Sequence, residues 1–405
     1  WYVLYKYILP QGFTGAASFL MLIAKFSPKN KRFNMVDPRI TKLAQNLINN
    51  AIALKSDENI LIETTDCPDE VTTELVKAVA AVGGNAFVHN YKSRIRREMI
   101  KNASEAQMKL AAELDLNEMQ KMQAYISVRG ADNMLENCDI PGPQMKKFRI
   151  INNPVLEHRV NETRWCVLRW PNGSMAQGAN MSTEAFEDFY FKCCLADYPK
   201  MASAAKNLVD LMNRTDKVRL VSKGTDLTFS IKNVGAVPCC GNMNIPDGEV
   251  YTAPVRDSVN GVIQYNTPTV YDGKPFGNVR LVFQNGKIVE SSCEMGDNAA
   301  LEALFNTDEG ARYVGEFAIG FNPFVNAPMC DILFDEKISG SIHFTPGRCY
   351  EDAPNGNMSA IHWDLVLIMR PEYGGGEIWF DDKLIRKDGL FVVDELKCLN
   401  PDQLQ

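Results

Sequence analysis

Apolar side chains recur at helical spacing at Ile40, Leu43, Ala44, Leu47, Ile48, Ala51 and Leu54, and residues 59–64 then form a short apolar run of the kind a buried strand requires. A second helix is predicted over about 69–82, ending at Gly83-Gly84, with a strand at 86–89. Further strands are predicted at 124–128 and 164–170, with helical segments between them. Strand, helix and strand in this order imply a parallel sheet covered by helices. A helix-rich segment over 182–212 carries Phe186, Phe189, Tyr190 and Phe191 on close spacing, which suits packing between domains. After Thr215 the texture changes to short β runs at 219–221, 227–231, 279–283 and 287–289. Asn285-Gly286 between two of these runs predicts a hairpin, and Asp272-Gly273 and Asp388-Gly389 repeat the signal. A helix over 297–309 interrupts the β runs, and 377–380 with 390–393 is expected to form a closing antiparallel pair. The fold class expected is an α/β N-terminal domain with a parallel sheet (35–212), followed by a β-rich α+β metal-binding C-terminal domain (213–405).

Residues 1–34 do not share this pattern. Their apolar run from Ile8 to Ala24 is broken by Pro10, Gln11 and Gly12, and basic residues follow it at Lys25, Lys29, Lys31 and Arg32. A signal peptide places its basic residues first, and a membrane span needs about 20 cleaner apolar positions. Met35-Val36-Asp37-Pro38 reads as a natural start, with Asp37 as helix cap and Pro38 at the first helical position, so 1–34 are expected to be a disordered extension.

Length and composition narrow the function classes. At 405 residues and 45% hydrophobic content the chain can bury substantial cores. A net charge of −7 argues against nucleic acid as a partner, and the basic run at 94–97 is short enough to be a solvated helix face. Eleven cysteines, odd in number and without CxxC spacing, suit reduced thiols in a cytoplasmic chain rather than a disulfide framework. No GxGxxG loop follows the first strand, and no GxSxG elbow is present, so a dinucleotide site and a serine hydrolase are both disfavoured.

The candidate chemistry lies in 340–369. Two of the four histidines, His343 and His362, fall there within twenty residues, whereas His89 and His158 read as structural or surface residues. If 360–366 is a strand, His362 and Asp364 share a face, roughly 7 Å apart at ~3.3 Å per residue. Neutral imidazole and charge-neutralising carboxylate together suit a divalent metal. Glu316 stands in an apolar strand, where an ionised carboxylate is costly unless paired or metal-bound, and Glu249 follows a Pro-Asp-Gly turn.

Four ordered motifs carry a resemblance: Asn-Ile-Pro-Asp-Gly-Glu-Val-Tyr-Thr-Ala-Pro at 244–254, Gly-Glu-Phe-Ala-Ile-Gly-Phe-Asn-Pro at 315–323, Glu-Lys-Ile-Ser-Gly-Ser-Ile-His at 336–343 and Ser-Ala-Ile-His-Trp-Asp at 359–364. Together they resemble the M29 family of metallo-aminopeptidases, the aminopeptidase T and aminopeptidase S type. The resemblance implies a dimer enclosing a cavity and two divalent ions per chain (Zn, Co, Mn or Mg). It implies Glu249, Glu316, His343, His362 and Asp364 as metal ligands, Tyr350 as a catalytic side chain, and peptides with a free N-terminus as substrates. Glu249 or Glu316 would bridge the ions, and Glu351 and Glu336 are the weaker options for a general base. Two alternatives remain open: a metal-dependent esterase or amidase, and a non-enzymatic dimeric protein with a structural metal site.

Overall fold

The computed structural model describes residues 36–405 apart from Met134 and Asp272, so the extension expected over 1–34, and Met35 itself, lie outside the described residues. In chain order the strands are β1 (Asn59–Thr65), β2 (Asn85–Tyr91), β3 (Ala124–Arg129), β4 (Arg164–Arg169), β5 (Lys217–Ser222), β6 (Thr225–Ser230), β7 (Val237–Cys239), β8 (Asn244–Ile245), β9 (Glu249–Thr252) and β10 (Asn260–Gln264). They continue with β11 (Pro268–Tyr271), β12 (Lys274–Gly277), β13 (Arg280–Gln284), β14 (Lys287–Ser292), β15 (Val314–Gly320), β16 (Ser341–Pro346), β17 (Val366–Ile368), β18 (Gly376–Phe380), β19 (Lys383–Lys387) and β20 (Leu390–Phe391).

The first sheet runs β2-β1-β3-β4-β8 and is parallel throughout, as the alternation of helical and strand patterns predicts. Helices Pro38–Asn46, Asp69–Ala81, Glu105–Met119 and Gly142–Glu162 accompany it. Ile60, Ile62, Ile126, Val128, Cys166 and Leu168 are all buried in its core. The last strand comes from far along the chain: Asn244–Ile245 pairs with Val167 and Leu168, which draws the turn leading to Glu249 against the first sheet.

The remaining strands are β-rich, as expected. An eight-stranded sheet of order β14-β13-β10-β6-β5-β18-β19-β20 backs a five-stranded antiparallel sheet of order β17-β16-β15-β9-β7. Alternation gives the smaller sheet two unlike faces. Phe317 and Phe344 point to one side, where they meet Phe229 of β6 at 5.0 Å each. Glu249, Glu316 and His343 point to the other.

The turn signals at Asn285-Gly286 and Asp388-Gly389 mark hairpins, with positive φ at both residues of each pair. The expected pairing of 377–380 with 390–393 does not form. Asp381-Asp382, both at positive φ, turn β18 onto β19, and β19 separates β18 from β20. That intervening run, Lys-Leu-Ile-Arg-Lys, looks too polar for an inner strand, yet Arg386 is only 1% exposed. Its guanidinium donates to the carbonyls of Gly320, Ser341 and Gly389 at 2.9–3.0 Å, tying the end of β15 to the start of β16. Phe186, Phe189 and Tyr190 sit on helix Thr183–Cys194, where Phe189 and Tyr190 pack against Phe334 from the later part of the chain.

Candidate metal centre

All five carboxylate and imidazole groups picked out in the sequence converge on the polar face of the small sheet. Glu316 is central. Its Oε1 lies 3.3 Å from Nε2 of His343, and its Oε2 lies 3.1 Å from Nε2 of His362. His362 Nε2 is also 3.1 Å from Oδ1 of Asp364, and His343 Nδ1 is 3.5 Å from Oε2 of Glu249. Two donor groups result, Glu249–Glu316–His343 and Glu316–His362–Asp364, each with its ligand atoms within 4.8 Å of one another. Glu316 belongs to both.

Local backbone devices aim these side chains. A register shift between Val314 and Glu316 places a bulge at Gly315, and bulges re-aim the next side chain. Gly315 also lets the following loop close in: a Cβ there would stand 2.2 Å from the carbonyl oxygen of Arg348. At Gly347, φ is +112° and a Cβ would meet the Ile361 oxygen at 2.1 Å, so the loop over 347–361 doubles back tightly.

The segment around His362 is not the regular strand expected from its alternation. Among the described residues, His362 makes one isolated bridge, to Gly347, and the strand begins only at Val366. The Arg348 amide donates to the Ile361 carbonyl and the Trp363 amide to that of Pro346, so the segment follows β16 without the ladder of a strand. His362 and Asp364 still converge, because each is held from behind. His362 Nδ1 donates to the Arg348 carbonyl at 2.7 Å, leaving Nε2 toward the carboxylates, and Thr345 Oγ1 donates to Asp364 Oδ1 at 2.7 Å.

Burial makes this arrangement costly unless something positive joins it. Glu249, Glu316 and His343 are 4%, 3% and 1% exposed. Burial outweighs the nearby cations at Glu249 and lifts its carboxyl to about 8. Burial would raise Glu316 too, but the imidazoles of His343 and His362 beside it bring it below the ordinary carboxylate value. Burial works against charging the imidazoles, yet Glu249 and Glu316 raise His343 to about 10, and Asp364 with Glu316 raise His362 well above the ordinary value.

Glu249 Oε2, His343 Nδ1 and His362 Nε2 are buried polar atoms without an aligned hydrogen-bond partner. Such atoms are rare in folded proteins and require an explanation. Their spacings of 3.1–3.5 Å match the edges, about 3.3 Å, of a tetrahedron of N and O ligands around a metal at 2.0–2.1 Å. The donor set therefore fits divalent cations.

Tyr350 stands at the rim, its ring 4.7 Å from that of His362 and 5.5 Å from that of Tyr251. Although the residue is 48% exposed, desolvation at the hydroxyl end, together with Glu316, Asp364, Glu336 and Glu249, holds it protonated well above the usual phenol range. The sequence reading missed Lys337, which is 1% exposed and ion-paired with Glu249, with Glu336 at 2.7 Å and with Asp247 at 3.4 Å. Its sequence context, Asp335-Glu336-Lys337-Ile338-Ser339, is mixed and polar, so no local pattern singles it out. A groove of about 510 Å³ along Lys217, Arg219, Phe229 and Trp379 contains none of these groups. Donor chemistry, not volume, marks the site.

Residues 36–372 match the family model for the thermophilic metalloproteases, M29. The chain belongs to the M29 family. Over 158 residues it is 36% identical to aminopeptidase AmpS of Bacillus subtilis, covering 36% of this chain and 38% of that protein. Over 170 residues it is 34% identical to aminopeptidase T of Thermus aquaticus, covering 36% and 41%. The chain thus spans about two fifths of the length of these curated relatives. The structure of wild-type AmpT from Thermus thermophilus shares the fold, with a TM-score of 0.71 at 21% identity over 88% of this chain and 99% of that one. For this M29 member, the fold class expected from the sequence, a helix-covered parallel sheet together with β-rich sheets, stands.

Proposed function

We propose that this M29 protein is a metal-dependent aminopeptidase that removes N-terminal residues from peptides, with two divalent cations, Zn, Co, Mn or Mg, in each chain. The observation that carries the reading is the pair of donor groups joined by Glu316, with three buried ligand atoms left without hydrogen-bond partners. Glu316 would bridge, because it alone belongs to both groups; Glu249 and His343 would complete one position, and His362 and Asp364 the other. When bound, such a pair of ions lowers the pKa of a water between them and polarises the scissile carbonyl.

The chain's own residues set the rest. Glu249, Glu316 and Asp364 would supply the negative charge that holds the two cations, and the cations in turn would attract a developing oxyanion. The Arg348 carbonyl and Thr345 hydroxyl fix His362 and Asp364 before substrate arrives, so little reorganisation is needed. Tyr350 keeps its phenolic hydrogen and stands against His362, where it would donate to the substrate carbonyl oxygen as that oxygen gains charge. Glu336 is committed to Lys337 at 2.7 Å, which weakens it as a general base.

No helix among the described residues is long and apolar enough to cross a membrane. All eleven cysteines are free, which supports a cytoplasmic setting, and a homodimer is proposed from the family resemblance.

Exhaustive chelation should abolish hydrolysis of an aminoacyl p-nitroanilide, and added Co²⁺, Zn²⁺, Mn²⁺ or Mg²⁺ should restore it. An N-acetylated dipeptide should resist cleavage while its free-amine form is cut. Equal cleavage of both would point instead to a general amidase.

A further inference from the structure

Beside the two positions assigned to metal, the same face holds a third cluster of ligand atoms: Cys239 Sγ and carboxylate oxygens of Asp247 and Glu249, all within 4.8 Å of one another. β7 and β9 bring them together, since Cys239 pairs directly with Glu249. Asp247 is 1% exposed and accepts from the amides of Gly241 and Gly248 at 2.6 and 3.0 Å. The three clusters share members, Glu249 linking the first to the second and Glu316 the second to the third. They form a row of three overlapping donor clusters.

The first position differs in one respect. Lys337 reaches into it, its ammonium paired with Glu249 Oε1, with Glu336 Oε1 at 2.7 Å and with Asp247 Oδ1 at 3.4 Å. The two oxygens of Glu249 are thereby divided. Oε1 is taken by Lys337, and Oε2 is left facing His343 without a hydrogen bond. A buried ammonium is costly unless it is paired, and this one has three carboxylates around it.

We infer that Lys337 is a positioning residue whose ammonium stands in for a third metal ion, filling the Cys239–Asp247–Glu249 position so that metal is confined to the two positions beyond it. Five carboxylates surround the row, those of Asp247, Glu249, Glu316, Glu336 and Asp364. One ammonium and two dications balance them. Removing the ammonium leaves a deep, anionic position with a thiol on its wall, and a soft divalent cation suits that donor set.

Cadmium is the probe, because a Cd–thiolate bond gives a charge-transfer band in the ultraviolet. Equilibrium dialysis with Cd²⁺ should show Lys337→Ala binding one more ion per chain than the unmodified protein. A thiolate band should accompany that ion, absent from the unmodified protein and from the Lys337→Ala, Cys239→Ser double variant. Lys337→Arg, which keeps the charge, should retain the unmodified count. If Lys337→Ala folds only when Cd²⁺ is added, as circular dichroism would show, and Cys239→Ser removes the rescue, the assignment stands. An unchanged count, an extra ion without a Cys239-dependent band, a variant that no Cd²⁺ restores, or a Cys239-dependent band in the unmodified protein would each overturn it. None of these readouts involves peptide hydrolysis, so they are independent of the proposed activity.

Discussion

In the parallel sheet, His89 has a partner on each ring nitrogen, the Tyr91 hydroxyl at 3.1 Å and the Glu118 carboxylate at 3.1 Å, and its side chain is 31% exposed. In the small antiparallel sheet, His343 and His362 are more deeply buried, and each keeps one ring nitrogen free of any aligned hydrogen bond. Both regions gather imidazole, tyrosine and carboxylate. The first satisfies its members locally and lets water reach them, so the cluster costs little and does little. The second holds three of its five proposed ligands from behind, His362 through Arg348, Asp364 through Thr345 and Glu249 through Lys337, and leaves Glu249 Oε2, His343 Nδ1 and His362 Nε2 without aligned partners. Chemistry is to be sought where a fold spends stability holding polar atoms unsatisfied.

The sharpest way to break this contrast is to remove the shared ligand. Glu316→Gln keeps the shape and loses the bridging charge, so elemental analysis should show metal loss, and turnover should fall by more than the ~10²-fold typical of outer partners. Retained metal with near-normal kcat would dissolve the distinction between the two sheets. Tyr350→Phe should keep its metal and lose about 10²–10³-fold in kcat, the range for one oxyanion donor; an unchanged kcat removes the residue from the mechanism. Gly315→Ala forces a methyl against the Arg348 carbonyl and should cost about 1–3 kcal/mol in denaturant unfolding, the usual range for overpacking. His89→Gln should have the smallest effect, with metal content and kcat unchanged and a stability loss below about 1 kcal/mol. A loss of metal in that variant would show that the parallel sheet takes part in binding after all.

What could be read from the chain follows from the range of the interactions involved. The parallel strands declare themselves through apolar runs such as Ile60, Leu61 and Ile62, and the hairpins through Asn285-Gly286 and Asp388-Gly389, because both signals are local. Glu316 was legible as a carboxylate set in an apolar strand. β19 was not, since Arg386 is satisfied by carbonyls of Gly320 and Ser341, 66 and 45 positions away. The geometry at His362 escaped the strand pattern for a similar reason: two glycines, Gly315 and Gly347, pull its loop across the sheet edge, and a period-two reading cannot register that approach. Lys337 is the instructive omission. Its three partners lie at 247, 249 and 336, so only the fold shows that a lysine, usually a surface residue, belongs to the anionic centre.

The central claim is that Glu249, Glu316, His343, His362 and Asp364 surround two cations with Glu316 between them. Anomalous diffraction from crystals of the protein loaded with Zn²⁺ or Mn²⁺, collected at the metal's absorption edge, tests it directly. Two peaks about 3.5–4 Å apart on either side of the Glu316 carboxylate are the predicted result. A single peak in a closed four-ligand shell, or no peak among these five side chains, would contradict it.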